Sequence, residues 1–363
     1  MGAYKAMISI RPAPRRWLFC LLAGVALAIA VSPADARKPK PAPAPPPEVV
    51  APPPPRAPSG PVVGVPERLV DQAAAYEGYM RRAVQISPNF ANGQGIAESL
   101  RAGAAYEPAQ FIHGAIAYAT MAALRDPTFV SAVRAAGASQ RGHQAIIEGI
   151  YASPAYAFSF AGSASAAGRA KDALVSEGMR LYVGGKAVKQ AAYDIQHQSW
   201  SLGDVPDRPG RLAAVKSLSS TTTTISPSDA ATLRQLVQGG GGGALPAPPP
   251  YSPLIAQAMA LAVMVAIGEA EDDTHLDRLS WLMEDRHSNQ CVKEAKLNLY
   301  QCLAVAKPHY EDVFCLGQHA LKDTGACVVK GAGGAVPIEV ITSPLNIPPP
   351  GRSAAHRPVK RRK

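Results

Sequence analysis

Four cysteines, Cys291, Cys302, Cys315 and Cys327, fall within 37 residues near the end of a 363-residue chain. Sulfurs at that density either bridge one another or ligate a metal. Structural zinc sites usually place paired ligands two to four residues apart, whereas the successive spacings here are 11, 13 and 12. The four are therefore expected to form two disulfides, with zinc ligation and free thiols as the weaker readings. Eleven residues are close to three helical turns, so Cys291 and Cys302 share one face of a helix; twelve do nearly the same for Cys315 and Cys327. Gly325 is expected to loosen the end of that second helix. If Lys307-Pro308-His309 is the turn of an antiparallel hairpin, Cys302 meets Cys315 and Cys291 meets Cys327, the nested choice among three connectivities. In a chain-entropy model the inner loop contributes about 3 kcal/mol and the outer about 4 kcal/mol.

This cysteine segment resembles the twin-cysteine helical hairpins of coiled-coil-helix proteins, with longer spacing and over this segment alone. The resemblance implies a geometry and no activity.

Catalytic signatures are sparse. No GxSxG elbow occurs, because Ser163 and Ser165 lack the flanking glycines. His143 and Glu148 stand five positions apart, out of line for a metal-binding helix of HExxH type. Gly184-Gly185-Lys186 lacks the upstream glycine and the following hydroxyl of a phosphate loop. Glu98-Ser99 resembles the pair with which helical lytic transglycosylases place their general acid at a helix end. That resemblance covers two residues, and the glycine-leucine-methionine-glutamine run expected downstream is absent. Glu98 is thus the least poor candidate acid, for a cell-wall hydrolase.

Three polar groupings have simpler explanations. Glu269, Glu271, Asp272, Asp273, His275 and Asp277 lack the glycine and alternate ligands of a calcium loop, and suit the positive end of a helix beginning near Thr274. Glu311 and Asp312 in His309-Tyr310-Glu311-Asp312 suit a helix start in the same way. His197 and Trp200, after Tyr193, Asp194 and Gln196 on the same helix, either anchor a helix end or line a ligand groove, the small-ligand carrier reading. No metal or cofactor is expected.

Compartment is read from the N-terminus. Lys5, Arg11, Arg15 and Arg16 precede an apolar run from Trp17 to Val31, and Ala34-Asp35-Ala36 has the small-x-small form of a cleavage site. That run is shorter than the ~20 residues of a membrane span, so residues 1–36 are expected to be a removed export signal, with retention as an inner-membrane anchor through residues 17–31 as the alternative. Delivery to the periplasm or outside the cell matches the disulfide reading. The net charge of +10 does not describe the body: from Glu67 to Leu345 there are 23 basic against 25 acidic side chains. The excess lies in the signal, in the following stretch, and in Arg352, Arg357, Lys360, Arg361, Arg362 and Lys363. A nucleic-acid-binding domain is therefore not expected; anionic envelope polymer or lipid is the partner the basic tail would attract.

Composition sets the elements that must position these residues. Apolar content of 47% with only 6% aromatic makes alanine the main filler, and alanine is the best helix former. An all-α fold follows: an alanine-rich multi-helix bundle with a disulfide-stapled hairpin near its C-terminus. Residues 37–66 are a proline-rich linker reaching up to roughly 90 Å as polyproline II. A helical domain at 67–238, a Gly/Pro linker at 239–252, a helical subdomain at 253–330 and a loop with a disordered basic tail at 331–363 complete the chain.

Asp126-Pro127, Ser153-Pro154, Ser226-Pro227 and Ser252-Pro253 each put a capping side chain before a proline at the first helical position. Helices are expected near 66–85, 92–103, 107–124, 127–136, 141–151, 154–160, 164–182, 186–200, 208–217, 227–237, 253–270, 274–286, 289–305 and 309–321. Leu254 to Ile267 carries one polar residue, Gln257, and reads as a core helix too short to span a bilayer. Ile338 to Thr342 alone looks strand-like.

Overall fold

Helices begin where a capping side chain precedes a proline. Asp126 accepts from the Phe129 N–H, Ser153 from Ala155, Ser226 from Asp229 and Ser252 from Ile255, each satisfying one of the donors a helix start leaves open. Glu107 and Asp207 cap in the same way, before Pro108 and before Arg208-Pro209. These contacts come from a computed structural model that describes residues 64–223, 225–238 and 245–338. Residues 1–36, expected to be an export signal, nearly all of the proline-rich stretch, the glycine run 239–243 and the basic residues Lys360, Arg361 and Arg362 lie outside the described residues.

The fold is all-α, with thirteen α-helices and no strand among the described residues. In order they are α1 (Glu67–Val84), α2 (Gly93–Ala104), α3 (Pro108–Ala123), α4 (Pro127–Gly137), α5 (Gln140–Ala152), α6 (Ser163–Ile195), α7 (Arg208–Ser220), α8 (Pro227–Gln238), α9 (Pro253–Ala266), α10 (Asp273–Arg278), α11 (Arg286–Val305), α12 (His309–Cys315) and α13 (Thr324–Gly331). Pro154–Ser159, expected as α-helix, is a 3-10 turn. The helix expected to run to 270 ends at Ala266, and the next is only α10 followed by a 3-10 turn at Ser280–Met283. Gly268, at φ +91°, takes the left-handed conformation that ends α9. Ile338 is not in a strand, and the rest of its segment lies outside the described residues.

The core forms around α3 and α9, whose side chains are apolar nearly all round. Eleven of the fourteen α9 residues are buried, so Leu254 to Ile267 is the core helix its composition predicts. Thr120 is fully buried between the two helices, its hydroxyl 2.9 Å from the Ile116 carbonyl and 3.1 Å from that of Ala258. One buried cluster takes in Leu69, Ile116 and Leu174 from the earlier stretch together with Met259, Leu261 and Leu299 from the later one. The helices on either side of the 239–252 linker therefore share a core. No described helix is long and apolar enough to cross a membrane.

Two helices expected at 164–182 and 186–200 are one, the 33-residue α6, about 50 Å long at 1.5 Å per residue. Gly184-Gly185 does not break it, because a neighbour holds the backbone in place. Gly185 lies against the backbone of Gly317 and Lys322, and Gly178 against that of Gly325. The absence of side chains at these positions lets the second arm of the cysteine hairpin sit directly on α6. Gly325, far from loosening that arm, lies inside it.

The second arm runs through α12, a π-helical stretch at Leu316–Asp323, and α13 without a break. Its disulfides join Cys291 to Cys327 and Cys302 to Cys315, each with Cα atoms 5.7 Å apart, near the middle of the normal range. The pairing is the nested one. Eleven residues separate the bridges on α11 and twelve on the opposite arm; likewise, seven separate the contact glycines on α6 and eight on the arm. A π turn closes i to i+5 hydrogen bonds and so holds an extra residue. That single extra residue lets the same arm keep register with two ordinary α-helices.

Adding a methyl at Gly325 would put Cβ 2.6 Å from the Gly178 carbonyl oxygen and the Tyr182 nitrogen, an overpacking that costs about 1–3 kcal/mol. Gly184 has nothing within 4 Å of the same point, and alanine is favoured over glycine in a helix by about 1 kcal/mol. Thermal unfolding should show Gly325→Ala melting below the parent and Gly184→Ala at or above it. Equal melting of the two variants would refute the close-packed arm.

Candidate functional site

A cleft of about 330 Å³ opens between the C-terminal end of α6 and the turn of the cysteine hairpin. Tyr193 and Gln196 form one wall, Val305 the other, and Tyr310 and Phe314 line it beside the Cys302–Cys315 bridge. Tyr193 and Phe314 meet edge to face with centroids 6.2 Å apart, and Tyr193 and Val305 remain 46% and 74% exposed. The site is thus largely apolar and aromatic, with two tyrosine hydroxyls, the Gln196 amide and the Glu311 carboxylate as its polar groups. Such a surface takes a ligand by shape and stacking.

Its walls are held by two arginines that the sequence reading passed over. The last turn of α11 leaves carbonyls without helical partners. Arg208 donates to Ala306 at 2.7 Å, Ala304 at 3.0 Å and Val305 at 3.2 Å. Arg211 donates to the Leu303 carbonyl and to the Asp312 carboxylate. The side chains of Arg211 and Asp312 are only 8% and 3% exposed. Burial pushes the Asp312 carboxyl up to about 6, with Arg211 opposing the shift, so the pair stays ionic at neutral pH. The acids opening α12 therefore differ in role. Glu311 accepts from the Lys307 N–H at 2.8 Å, across the turn, whereas Asp312 faces inward and fastens α7 to the hairpin. An Arg-x-x-Arg facing a Glu-Asp pair was the available signal, but spacing alone does not say which acid turns inward.

A second internal polar site joins α2, α7 and α11. Lys296 is 4% exposed; its ammonium lies 3.5 Å from the centre of the Tyr106 ring and donates to the Ala104 carbonyl and to Ser219 Oγ. Tyr106 in turn shares a 2.9 Å hydrogen bond with Thr324 of α13. Burial drives the Lys296 amine well below its ordinary value of 10.5, Glu107 opposing weakly. Nothing in Lys293-Glu294-Ala295-Lys296 distinguishes this lysine from its exposed neighbours except its place on the apolar face of α11.

The other candidate residues are not brought together. Glu98 is exposed on α2 and accepts from Gln94, one turn away, at 2.9 Å, while Ser99 donates to the Gly95 carbonyl. His197 and Trp200 are not on a helix, because α6 ends at Ile195. Ser201 Oγ binds the Ile195 carbonyl and its own backbone N–H donates to that of Gln198, closing turns in which His197 is exposed and the Trp200 indole donates to Gln198 at 2.6 Å. Of that grouping, Tyr193 and Gln196 line the cleft, and His197 and Trp200 are not among its lining residues. Asp272 caps α10 through the His275 N–H at 2.9 Å, and Glu269 pairs with His143 at 2.7 Å. No group of three or more potential metal ligands occurs among the described residues.

No protein-family model, curated protein or solved structure matches the chain.

Lys296 makes stability depend on pH. The unfolded chain holds this proton up to about pH 10.5, while the folded protein releases it at lower pH, so between the two values the unfolded state binds more protons and stability rises with pH. The slope approaches about 1.4 kcal/mol per pH unit within that window. Denaturant unfolding at pH 7, 8 and 9, below the range where the buried tyrosines Tyr76, Tyr79, Tyr106 and Tyr118, whose hydroxyls burial holds above their ordinary range, begin to oppose it, should show a steeper rise in the parent than in Lys296→Met. An unchanged slope in the variant would show that Lys296 is not its source.

Proposed function

We propose that the chain is an exported, non-catalytic protein of the periplasm or cell envelope, a helical scaffold or binding module with a clamped hairpin at its working end. The nested disulfide pair carries this reading, because such bonds persist in oxidising compartments and are reduced in the cytosol. The signal-like residues 1–36 support it independently. So does the site chemistry: the cleft offers apolar walls, hydroxyl and amide groups and the Glu311 carboxylate, the equipment for holding a partner. Glu98, with its nearest polar partner on its own helix, supports the hydrolase alternative less well. The basic residues at 352–363 would draw the protein to anionic lipid or wall polymer, at about 1 kcal/mol per charge near the surface.

Two measurements test the proposal. Mature protein isolated from its native cell should have lost residues 1–36 and should give no alkylated cysteine without prior reduction; an intact leader with four reactive thiols defeats the export reading. Removal of Arg352 to Lys363 should weaken binding to anionic vesicles at low salt and leave neutral vesicles unaffected. Equal binding of the shortened and full chains to anionic vesicles would remove the tethering role.

A further inference from the structure

The cleft beside the Cys302–Cys315 bridge carries charge of one sign. Glu311 is the sole charged side chain among the residues that line it. Its Oε2 accepts from the Lys307 N–H at 2.8 Å, which holds the carboxylate across the turn, and Oε1 has no hydrogen-bond partner among the described residues. The end of α6 adds to the same sign. Ala192, Tyr193 and Gln196 line the cleft from there, and the last turn of this 33-residue helix holds no basic side chain, so the partial negative charge of its C-terminus meets no cation of its own. The end of α11 differs, because Arg208 and Arg211 already occupy its carbonyls.

The rest of the lining is aromatic and aliphatic. Tyr193 stands at 85° to Phe314 and leaves nearly half of its surface open, and Tyr310 adds a third ring. Ring faces carry partial negative charge and attract cations within about 6 Å of the centroid. Phe314 already shows this preference: the Lys189 ammonium lies 5.4 Å from its centroid and donates to Gln318 at 2.8 Å, while Lys189 is not itself a lining residue. Tyr193 and Tyr310 are the rings left for a ligand. A volume of about 330 Å³ lies at the lower end of the range for small-molecule sites.

We propose that the cleft binds a small quaternary ammonium compound, its cationic head held by Tyr193, Tyr310 and Glu311. The carboxylate and the end of α6 attract positive charge and repel an anion. The apolar lining then selects among cations. A primary ammonium or a guanidinium carries several N–H donors and would give up bound water for the few acceptors that Glu311, Gln196 and the tyrosine hydroxyls supply; each donor left unmatched is costly. A quaternary head has no donor to leave unmatched, and its methyl groups find apolar contact at Val305 and Ala306. Aromatic rings beside a weakly hydrated cation supply the rest of the attraction. This inference gives a ligand class to the binding-module reading above and rests on it, and it is independent of where the chain is delivered.

Calorimetric titration of the full-length protein with choline, and with dimethylbutanol as its uncharged isostere, tests the assignment. Choline should bind at least about tenfold more tightly than the isostere, the combined effect of the rings and the carboxylate. Glu311→Gln keeps an acceptor for the Lys307 N–H, and Tyr193→Leu alters a half-exposed side chain, so both variants should fold; each should weaken choline binding about fivefold to tenfold. Tyr193→Phe keeps the ring and should bind choline within about twofold of the parent. Absence of choline binding at millimolar concentration, equal affinity for choline and its isostere, or unchanged choline binding in the combined Glu311→Gln/Tyr193→Leu variant overturns the proposal. Phosphocholine, whose phosphate meets Glu311, should bind more weakly than choline; tighter binding would make the ligand a lipid headgroup and defeat the assignment to a free cation. A retained leader or reactive thiols would leave these outcomes unchanged, so failure of the export reading is distinguishable.

Discussion

The arm from His309 to Gly331 is held on two sides at once, and the architecture of this end of the molecule follows from that double constraint. On one side sulfur bridges fix it to α11. On the other, glycine-to-backbone contacts seat it on α6. The bridges fix the register of the arm against α11 and the glycine contacts fix it against α6, so both must be met by the same backbone. Both partners advance as ordinary α-helices, so the arm has to accommodate the mismatch, and the π-helical stretch does so. The cleft then forms where α6 ends and the hairpin turns, with its walls set by the Arg208 and Arg211 contacts to the end of α11.

Two of the buried charges lie around this arm. Asp312 with Arg211, and Lys296 over Tyr106, both lie between α7 and the hairpin or its neighbours. Taking such groups out of water costs several kcal/mol per ion, and only close partners offset it. Arg211 finds carbonyls and a carboxylate; Lys296 finds a carbonyl, a hydroxyl and an aromatic face. Hydrophobic area alone would pack α7 against α11 in several rotations. These polar groups are satisfied in one of them, which ties the placement of α7 to that of the cleft.

Much of the architecture was legible in the residues because its determinants are local. A serine or aspartate before a proline specifies a helix start through one hydrogen bond, and each of the four such pairs caps one. Alanine richness called for helices, and the cysteine spacings called for a nested hairpin. What could not be read depends on contacts distant in sequence. Gly184-Gly185 looks like a helix break until the arm that covers Gly185 is in place. The twelve-residue spacing between Cys315 and Cys327 held a sign of the extra residue, visible beside the eleven on α11, but only an assembled hairpin turns that difference into a π turn. The polar and aromatic grouping from Tyr193 to Trp200 divides where α6 stops at Ile195: Tyr193 and Gln196 line the cleft, while His197 and Trp200 follow in turns. Lys296 and Asp312 look like ordinary surface charges in sequence, and burial makes them otherwise.

The position of Cys327, four residues before α13 ends at Gly331, has a mechanical side. Tension applied to the C-terminal tail works first on the contacts of Pro337 and Gly334 and on the last turn of α13, and then meets the bridge to Cys291 on α11. The 35 residues between Cys291 and Cys327 cannot pay out as slack while the bond is intact. A pull on the tail can therefore unwind the arm only as far as Cys327, where a covalent bond stops it.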